Sequence, residues 1–145
     1  MDVNYKSWGG YLIPLQSSIV ETTDMYTKFS NGLFIIYIMG DTTDGLSTIS
    51  YDISKNYFYL QSNFNLISNA TFIYSHLEVS RITGIKSGAD VSLTNYNDSG
   101  PRLSEICYGN AGSSIRARCV LSGDSVSNYS NLVGYYRVFA IGRWK

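Results

Sequence analysis

The sequence has little charge, one histidine, two cysteines and two prolines. Charged residues make up 15% of the 145 positions, against about 25% in a typical soluble domain. The 11 basic and 11 acidic side chains cancel, so neither nucleic acid nor an anionic membrane is predicted as a partner. A single histidine excludes mechanisms that need a histidine pair, and the cysteines lack a zinc-ligand spacing. We therefore predict no metal and no cofactor.

Long apolar runs are also missing. The longest, Leu33 to Met39, is far shorter than the roughly 20 residues that a membrane-spanning helix needs, so no membrane insertion is predicted. The opening residues, Met1 to Lys6, lack the apolar segment of a signal peptide. Met1 is either a native start or the start of an expressed piece of a longer protein, and we favour the second interpretation.

Tyrosine is the residue in excess. The chain has 13 tyrosines and 13 glycines, alongside many serines and asparagines. Such a surface recognises ligands through rings and amides rather than through ions. The same composition is also typical of an all-β protein with no binding role, and the two interpretations stay open.

The hydrophobic pattern predicts an all-β fold. Apolar residues alternate with a period of two almost throughout, and turn signals recur about every dozen residues. No helical pattern exceeds about two turns. Residues 1–145 are therefore predicted to form a single all-β domain, an antiparallel sandwich or barrel-like head of about eight to ten strands.

Two stretches are predicted to be deeply packed strands. Leu33 to Met39 is apolar on both faces, which predicts burial on both. In Val133 to Trp144, alternation gives one fully apolar side, whereas the other mixes rings with two arginines. Because apolar residues continue almost to the last position, we expect this strand to be paired on both sides.

Several weaker patterns complete the strand assignment. Trp8 to Leu15 is predicted as one bulged or edge strand, and Ala70 to Thr83 as a long strand that ends at Gly84. Leu103 to Cys107 is predicted as a strand rather than a short helix, and Ser122 to Asn131 as a polar loop. In the strand Thr48 to Ile53, alternation directs Ile49, Tyr51 and Ile53 inward.

Few residues suggest chemistry. Cys107 and Cys119 either form a disulfide across a hairpin or are two small buried side chains, and the second interpretation is favoured. His76 and Glu78 share a strand face, which is typical of a structural pair. The acidic residues stand singly, so a glycosidase pair of carboxylates has only weak support. We predict that the chain is not an enzyme.

Two polar loops are the predicted binding site, because loops on a rigid scaffold often carry binding residues. They are Asn95 to Gly100 and Ser122 to Asn131, and each carries one tyrosine that could lie flat on a sugar ring. The predicted receptor or carbohydrate contacts are Tyr96, Asn97, Asp98, Asn128 and Tyr129, with the strand face of Tyr57 and Tyr59 in reserve. The alternative is that these loops are ordinary solvated turns.

The last strand has the sequence Tyr135-Tyr136-Arg137-Val138-Phe139-Ala140-Ile141-Gly142-Arg143-Trp144-Lys145. It resembles the closing strand of bacteriophage tail-fibre and tailspike tips, which are also small, rich in Ser, Asn and Tyr, and nearly all β. This resemblance implies a homotrimer at the tip of a virion fibre, outside the cell, with a shaft preceding these residues. It also implies attachment to a bacterial surface glycan or outer-surface protein.

The sequence is compatible with three functions. The leading one is a non-enzymatic receptor-binding head for host attachment. The second is a C-terminal trimerisation cap that binds nothing, and the third is a glycan-cleaving domain with two carboxylates. A homotrimer is expected under the first two, because Leu33 to Met39 and Val133 to Trp144 offer more apolar surface than one small domain covers.

Overall fold

The computed structural model of the chain describes residues 5–8, 11–14, 19–94, 100–108 and 113–145, and antiparallel strands dominate them. In these ranges the helical segments are single 3₁₀ turns, Ile53–Lys55 and Val126–Asn128, and no helix could span a membrane. The strands, in chain order, are β1 (Tyr5–Trp8), β2 (Tyr11–Pro14), β3 (Ile19–Thr22), β4 (Tyr26–Phe29), β5 (Leu33–Asp41), β6 (Ser47–Asp52), β7 (Tyr57–Asn63), β8 (Thr71–Lys86), β9 (Ala89–Thr94), β10 (Arg102–Tyr108), β11 (Ser114–Ser122) and β12 (Ser130–Arg143).

Two larger sheets enclose the core. One has six strands in the order β3-β4-β5-β12-β8-β9, and the other has four in the order β10-β11-β7-β6. Strands β1 and β2 form a separate hairpin. Every strand pair is antiparallel, which confirms the prediction of an all-β chain.

Strand β12 lies at the centre of the six-stranded sheet. It pairs with β5 along one edge and with β8 along the other, so both rows of its backbone groups are used. Its side chains Tyr136, Val138 and Ala140 are buried between the sheets. The predicted pairing of the final strand on both sides is confirmed.

Alternate residues of both sheets build one hydrophobic core. Rings meet edge to face within it: Phe72 contacts Phe34 and Phe64 with ring centroids 5.2 and 5.3 Å apart. The four-stranded sheet contributes buried side chains from β7 and β11, which are Phe58, Leu60, Ile115, Ala117, Cys119 and Leu121. Period-two alternation therefore predicts the inward faces well.

The opening segment differs from its prediction. Instead of one strand over Trp8 to Leu15, the chain forms the β1–β2 hairpin, in which Trp8 lies opposite Tyr11. Gly9 and Gly10 stand between the two strands in the sequence, and Gly-Gly is a preferred connection in tight hairpins. This split, together with the short strands β3 and β4, explains why the described ranges hold twelve strands rather than eight to ten.

Two later segments also differ. Strand β8 does not end at Gly84 but continues to Lys86, because the missing side chain lets the backbone of Ser130 come close. The predicted polar loop, Ser122 to Asn131, packs Val126 and Tyr129 into the core. The predicted strand at Leu103 to Cys107 is confirmed as β10.

Burial on both faces of Leu33 to Met39 is not observed in the single chain. The inward residues Phe34, Ile36 and Ile38 are buried, whereas Tyr37 and Met39 are 52% and 60% exposed. Alternation fixes which side chains share a face, but it does not fix whether a second layer covers that face.

Of the two glycines in β12, Gly142 is the more tightly enclosed. A β-carbon there would overlap the carbonyl oxygen of Thr71 and would lie 2.5 Å from the Phe34 ring. We expect Gly142→Ala to lower the free energy of unfolding by about 1–3 kcal/mol, since an overpacked core must shift its neighbours. Urea unfolding checks this, with Arg143→Ala, an exposed neighbour on the same strand, as the control. Equal stability of the two variants would contradict the packing argument.

Candidate functional site

The outward face of the four-stranded sheet holds a cleft of about 530 Å³. We name it the tyrosine cleft. Strand register brings its central residues together: Gln61 on β7 lies between Thr48 on β6 and Arg116 on β11, and Tyr59 lies opposite Ser50. The lining side chains are Thr48, Ser50, Tyr51, Asp52, Ile53, Tyr59, Gln61 and Arg116.

A chain of hydrogen bonds orients the floor of the tyrosine cleft. Arg116 donates from Nε and Nη2 to Oε1 of Gln61, at 3.2 and 2.7 Å. The amide nitrogen of Gln61 donates to the hydroxyl of Ser114 at 3.2 Å. The guanidinium carbon of Arg116 also lies 5.1 Å from the ring centroid of Tyr59, a cation–π distance. These contacts hold Arg116 and Gln61 in place without a ligand.

Tyr57 supports Tyr59 from the side. Their hydroxyl oxygens are 2.5 Å apart, and the two rings meet edge to face with centroids 4.6 Å apart. This hydrogen bond is the largest cause of the raised pKa of Tyr59. Tyr57 itself is only 3% exposed, whereas Tyr59 is half-buried. Of the two reserve tyrosines, Tyr59 therefore lines the cleft, and Tyr57 is the buried partner that orients it.

Asp52 supplies a carboxylate at one end of the cleft. The hydroxyl of Ser54 donates to it at 2.6 Å and is the main reason why its pKa is lowered. Lys55 adds a weaker contribution from 3.9 Å. Asp52 is therefore ionised at neutral pH and acts as a hydrogen-bond acceptor.

Tyr51 is the most exposed ring of the cleft, at 46%. It also borders a neighbouring recess of about 450 Å³ that includes Tyr129 and Asn131. Register sets Tyr51 opposite the buried Phe58, as alternation predicts, but Tyr51 and Ile53 remain exposed because β6 is an edge strand that runs directly into the turn Ile53–Lys55. Ile49, the third residue of that prediction, does pack against the core.

The predicted site residues fall into two groups. Tyr96, Asn97 and Asp98 lie outside the described residues, so their predicted role stays a prediction. Asn128 and Tyr129 are described, and both bond to Asp124: the Asn128 amide at 2.7 Å and the Tyr129 hydroxyl at 2.7 Å. Tyr129 is only 4% exposed, with its edge in the recess beside Tyr51. Its predicted contact with a receptor stays untested.

Asp124 is a hub that ties this loop to the core. It forms an ion pair with Lys86, and the backbone N–H of Ser125 donates to it at 2.8 Å. Lys86 is the largest cause of the lowered pKa of Asp124, followed by Tyr129. Burial, together with the bond to Asp124, raises the pKa of Tyr129. The ring of Tyr129 packs edge to face on Phe58, so the hub joins the loop to the four-stranded sheet.

The outward face of the six-stranded sheet has a different chemistry. Apolar side chains of β5, β12 and β8 lie side by side there, since register places Phe139 opposite Tyr37 and Ile141 opposite both Ile35 and Tyr74. Tyr37, Tyr74 and Phe139 are 40–52% exposed. We name this surface the apolar face; its members are Ile35, Tyr37, Met39, Tyr74, Phe139 and Ile141.

The remaining candidates for chemistry are the two cysteines, His76 and Glu78. Register sets Cys119, which is buried, opposite Glu105, and Cys107 opposite Ala117. His76 is exposed beside Phe139 on the outward face, and Glu78 pairs with Arg137 at 3.7 Å. Across the described part of the chain, no three metal-binding side chains come together.

Comparison of the chain with models of known protein families, with curated proteins and with solved structures gives no match. The functional argument therefore depends on the two surfaces themselves. One is a polar and aromatic cleft, and the other is an exposed apolar sheet face.

The Asp124 hub makes a prediction about pH. A carboxyl whose pKa is lowered on folding stabilises the protein above its unfolded pKa of about 3.9, and this stabilisation is lost as pH falls towards the folded value. We expect Asp124→Asn to lose about 1.5–3 kcal/mol of unfolding free energy at pH 7, as for hydrogen bonds to charged groups. The difference from the parent should shrink below about pH 4.

Urea unfolding at several pH values from 3 to 7 measures this difference. The control is Asp24→Asn at an exposed position, where the effect should stay within about 0.5 kcal/mol at every pH. A constant deficit of Asp124→Asn over the whole range would contradict the ionic role of Asp124.

Proposed function

We propose that this chain is a non-enzymatic receptor-binding head that recognises a bacterial surface glycan in the tyrosine cleft. The resemblance of the final strand to phage tail-fibre tips suggests host attachment from the tip of a virion fibre as its setting. The proposal depends on one observation: tyrosine rings and polar groups that hydrogen bonds hold in place line one cleft of about 530 Å³. Glycans are the ligands that this combination suits best.

Sugars present both apolar C–H faces and many hydroxyl groups. Tyr51 and Tyr59 offer ring surfaces against which a sugar can pack with little loss of side-chain entropy. Asp52 accepts hydrogen bonds, and Arg116, which Gln61 holds in place, donates them, so sugar hydroxyls of either polarity find partners. The cleft can therefore recognise a sugar by its shape and by its hydroxyl pattern.

The cleft is organised before a ligand arrives. Arg116, Gln61 and Ser114 already share hydrogen bonds, and Tyr57 holds Tyr59. Ordering long side chains on binding costs about 0.5–1.5 kcal/mol for each one. Because that ordering is already present on folding, more of the interaction energy contributes to affinity.

The apolar face favours self-association as a second candidate function. A patch of exposed rings and aliphatic side chains on one sheet face is a common mark of a protein interface. Copies of the chain that cover this face would form the homotrimer of a fibre tip and leave the tyrosine cleft, on the opposite sheet, open. A trimerisation cap without a ligand would need the apolar face alone.

The cleft is tested by removing its most exposed ring. We expect Tyr51→Ala to bind glycans about five- to a hundredfold more weakly than the parent, which corresponds to about 1–3 kcal/mol for a ring that anchors a ligand. A bacterial glycan array identifies the ligands, and calorimetry gives the affinities. The control is Tyr135→Ala, a ring on the other sheet that stacks under Arg81. Glycan binding that is unchanged in a folded Tyr51→Ala protein would exclude the cleft as the site.

Self-association is tested by placing charge on the apolar face. Light scattering should give three times the chain mass for the parent at micromolar concentration, and Phe139→Lys should reduce it to one chain mass. Charged side chains are depleted in interface cores because their desolvation is costly. Thr48→Lys, on the opposite sheet, is the matched control and should remain trimeric. A monomeric parent would argue against the assembly.

A further inference from the structure

We infer that the glycan bound in the tyrosine cleft is acidic and that its oxyanion, a carboxylate or a phosphate group, pairs with Arg116. This inference rests on the proposed glycan-binding function and adds the charge of the ligand. Three features support it: the cations around the cleft, the position of Arg116 and the state of Asp52.

Cations border this face of the sheet. Arg116, Arg118 and Lys55 stand beside the two central rings: Arg116 over Tyr59 at 5.1 Å, Arg118 and Lys55 over Tyr57 at 5.3 and 5.9 Å. The cleft lining itself holds one cation, Arg116, and one anion, Asp52. Arg118 and Lys55 add positive charge around that lining, which favours an anionic ligand.

Asp52 does not offset the arginines. Its carboxylate is already engaged by the Ser54 hydroxyl and lies 3.9 Å from Lys55. The two oppositely charged groups at that end of the cleft therefore largely compensate each other, and Arg116 remains as a positive centre on the cleft floor.

Arg116 differs from three other cations of the chain in having no carboxylate partner among the described residues. Lys28, Lys86 and Arg137 each form an ion pair with a carboxylate on a neighbouring strand or loop. Within the described residues, Arg116 bonds only to the neutral Gln61, through Nε and Nη2, and no described carboxylate reaches it. Its Nη1 group is engaged by none of these bonds.

That geometry suits an oxyanion better than a neutral hydroxyl. Gln61 fixes the plane of the guanidinium group, and Tyr59 lies beside it, so this exposed cation presents its free donors in a fixed orientation. Hydrogen bonds from arginine to carboxylate or phosphate are roughly twice as strong as bonds between neutral groups. A sugar ring on Tyr51 or Tyr59 would then bring its acidic substituent to Arg116.

The experiment compares matched ligands on the full chain. Acidic bacterial oligosaccharides are measured beside the same oligosaccharides after their carboxyl groups have been reduced to alcohols, and phosphorylated oligosaccharides form a separate arm. We expect the acidic forms to bind about tenfold to a hundredfold more tightly than the reduced forms, with the preference weakening as salt is raised. A preference in the carboxylate arm or in the phosphate arm identifies which oxyanion is bound.

The variants separate this inference from a general loss of binding. Arg116→Gln should remove the preference for acidic ligands while neutral oligosaccharides still bind, and Arg116→Lys should retain part of the preference. Arg143→Gln, at an exposed arginine on the other sheet, should behave like the parent. Circular dichroism confirms that each variant is folded.

Different results would overturn the proposed glycan-binding function and the inference that the glycan is acidic. Equal affinity of the parent for acidic and reduced oligosaccharides would overturn the inference alone, as would a preference that survives in Arg116→Gln. Failure of the parent to bind any glycan on the array would overturn the proposed function and the inference with it.

Discussion

Pairing of β12 with β5 and β8 at once is the interaction on which the remaining structure depends. Both rows of backbone groups on this strand are satisfied within the sheet, and its inward side chains Tyr136, Val138 and Ala140 fill the centre of the core. The strand also lacks side-chain volume where neighbours are closest, at Gly142. Because β5 and β8 align on β12, the outward residues of these three strands align as well. The apolar face is therefore a consequence of the same register that builds the core.

The two outward surfaces of the sandwich divide the chemistry of the chain. Facing away from the six-stranded sheet are exposed rings and aliphatic groups, which gain most from being covered by another protein surface. Facing away from the four-stranded sheet are rings alternating with arginine, glutamine and aspartate, which gain most from a ligand with both apolar and polar groups. The same alternation of side chains along the strands produces both surfaces. Inward residues are apolar in each sheet, and the two sheets differ only in their outward residues. The proposed assembly and the proposed ligand recognition would therefore use opposite sides of the sandwich.

Much of the fold was predictable from the sequence, but less of the candidate site was. Alternation predicts the inward face of β12, and its apolar residues near the terminus predict pairing on both sides; both predictions are confirmed. Tyr51 shows that alternation does not predict exposure, because an edge strand that enters a 3₁₀ turn exposes a residue that alternation directs inward. Tyr57 shows the opposite error: alternation directs it outward, yet neighbouring side chains cover it. The position of Arg116 beside Gln61 depends on strand register across more than 50 residues of sequence, which one sequence does not reveal.

Internal hydrogen bonding explains why the sheet face, rather than the described loop, is the stronger candidate for ligand recognition. In the loop before β12, Asn128 and Tyr129 direct their polar atoms to Asp124, and Asp124 also pairs with Lys86. A ligand that used these atoms would have to break bonds that hold the loop on the core, at a cost of about 1–3 kcal/mol for each buried group left unsatisfied. On the sheet face, the strands themselves hold Tyr59 and Arg116, so their outward surfaces can bind a ligand while the supporting bonds stay intact. The strands thus supply the order that a ligand site needs, whereas the polar atoms of Asn128 and Tyr129 are already used in holding the loop on the core.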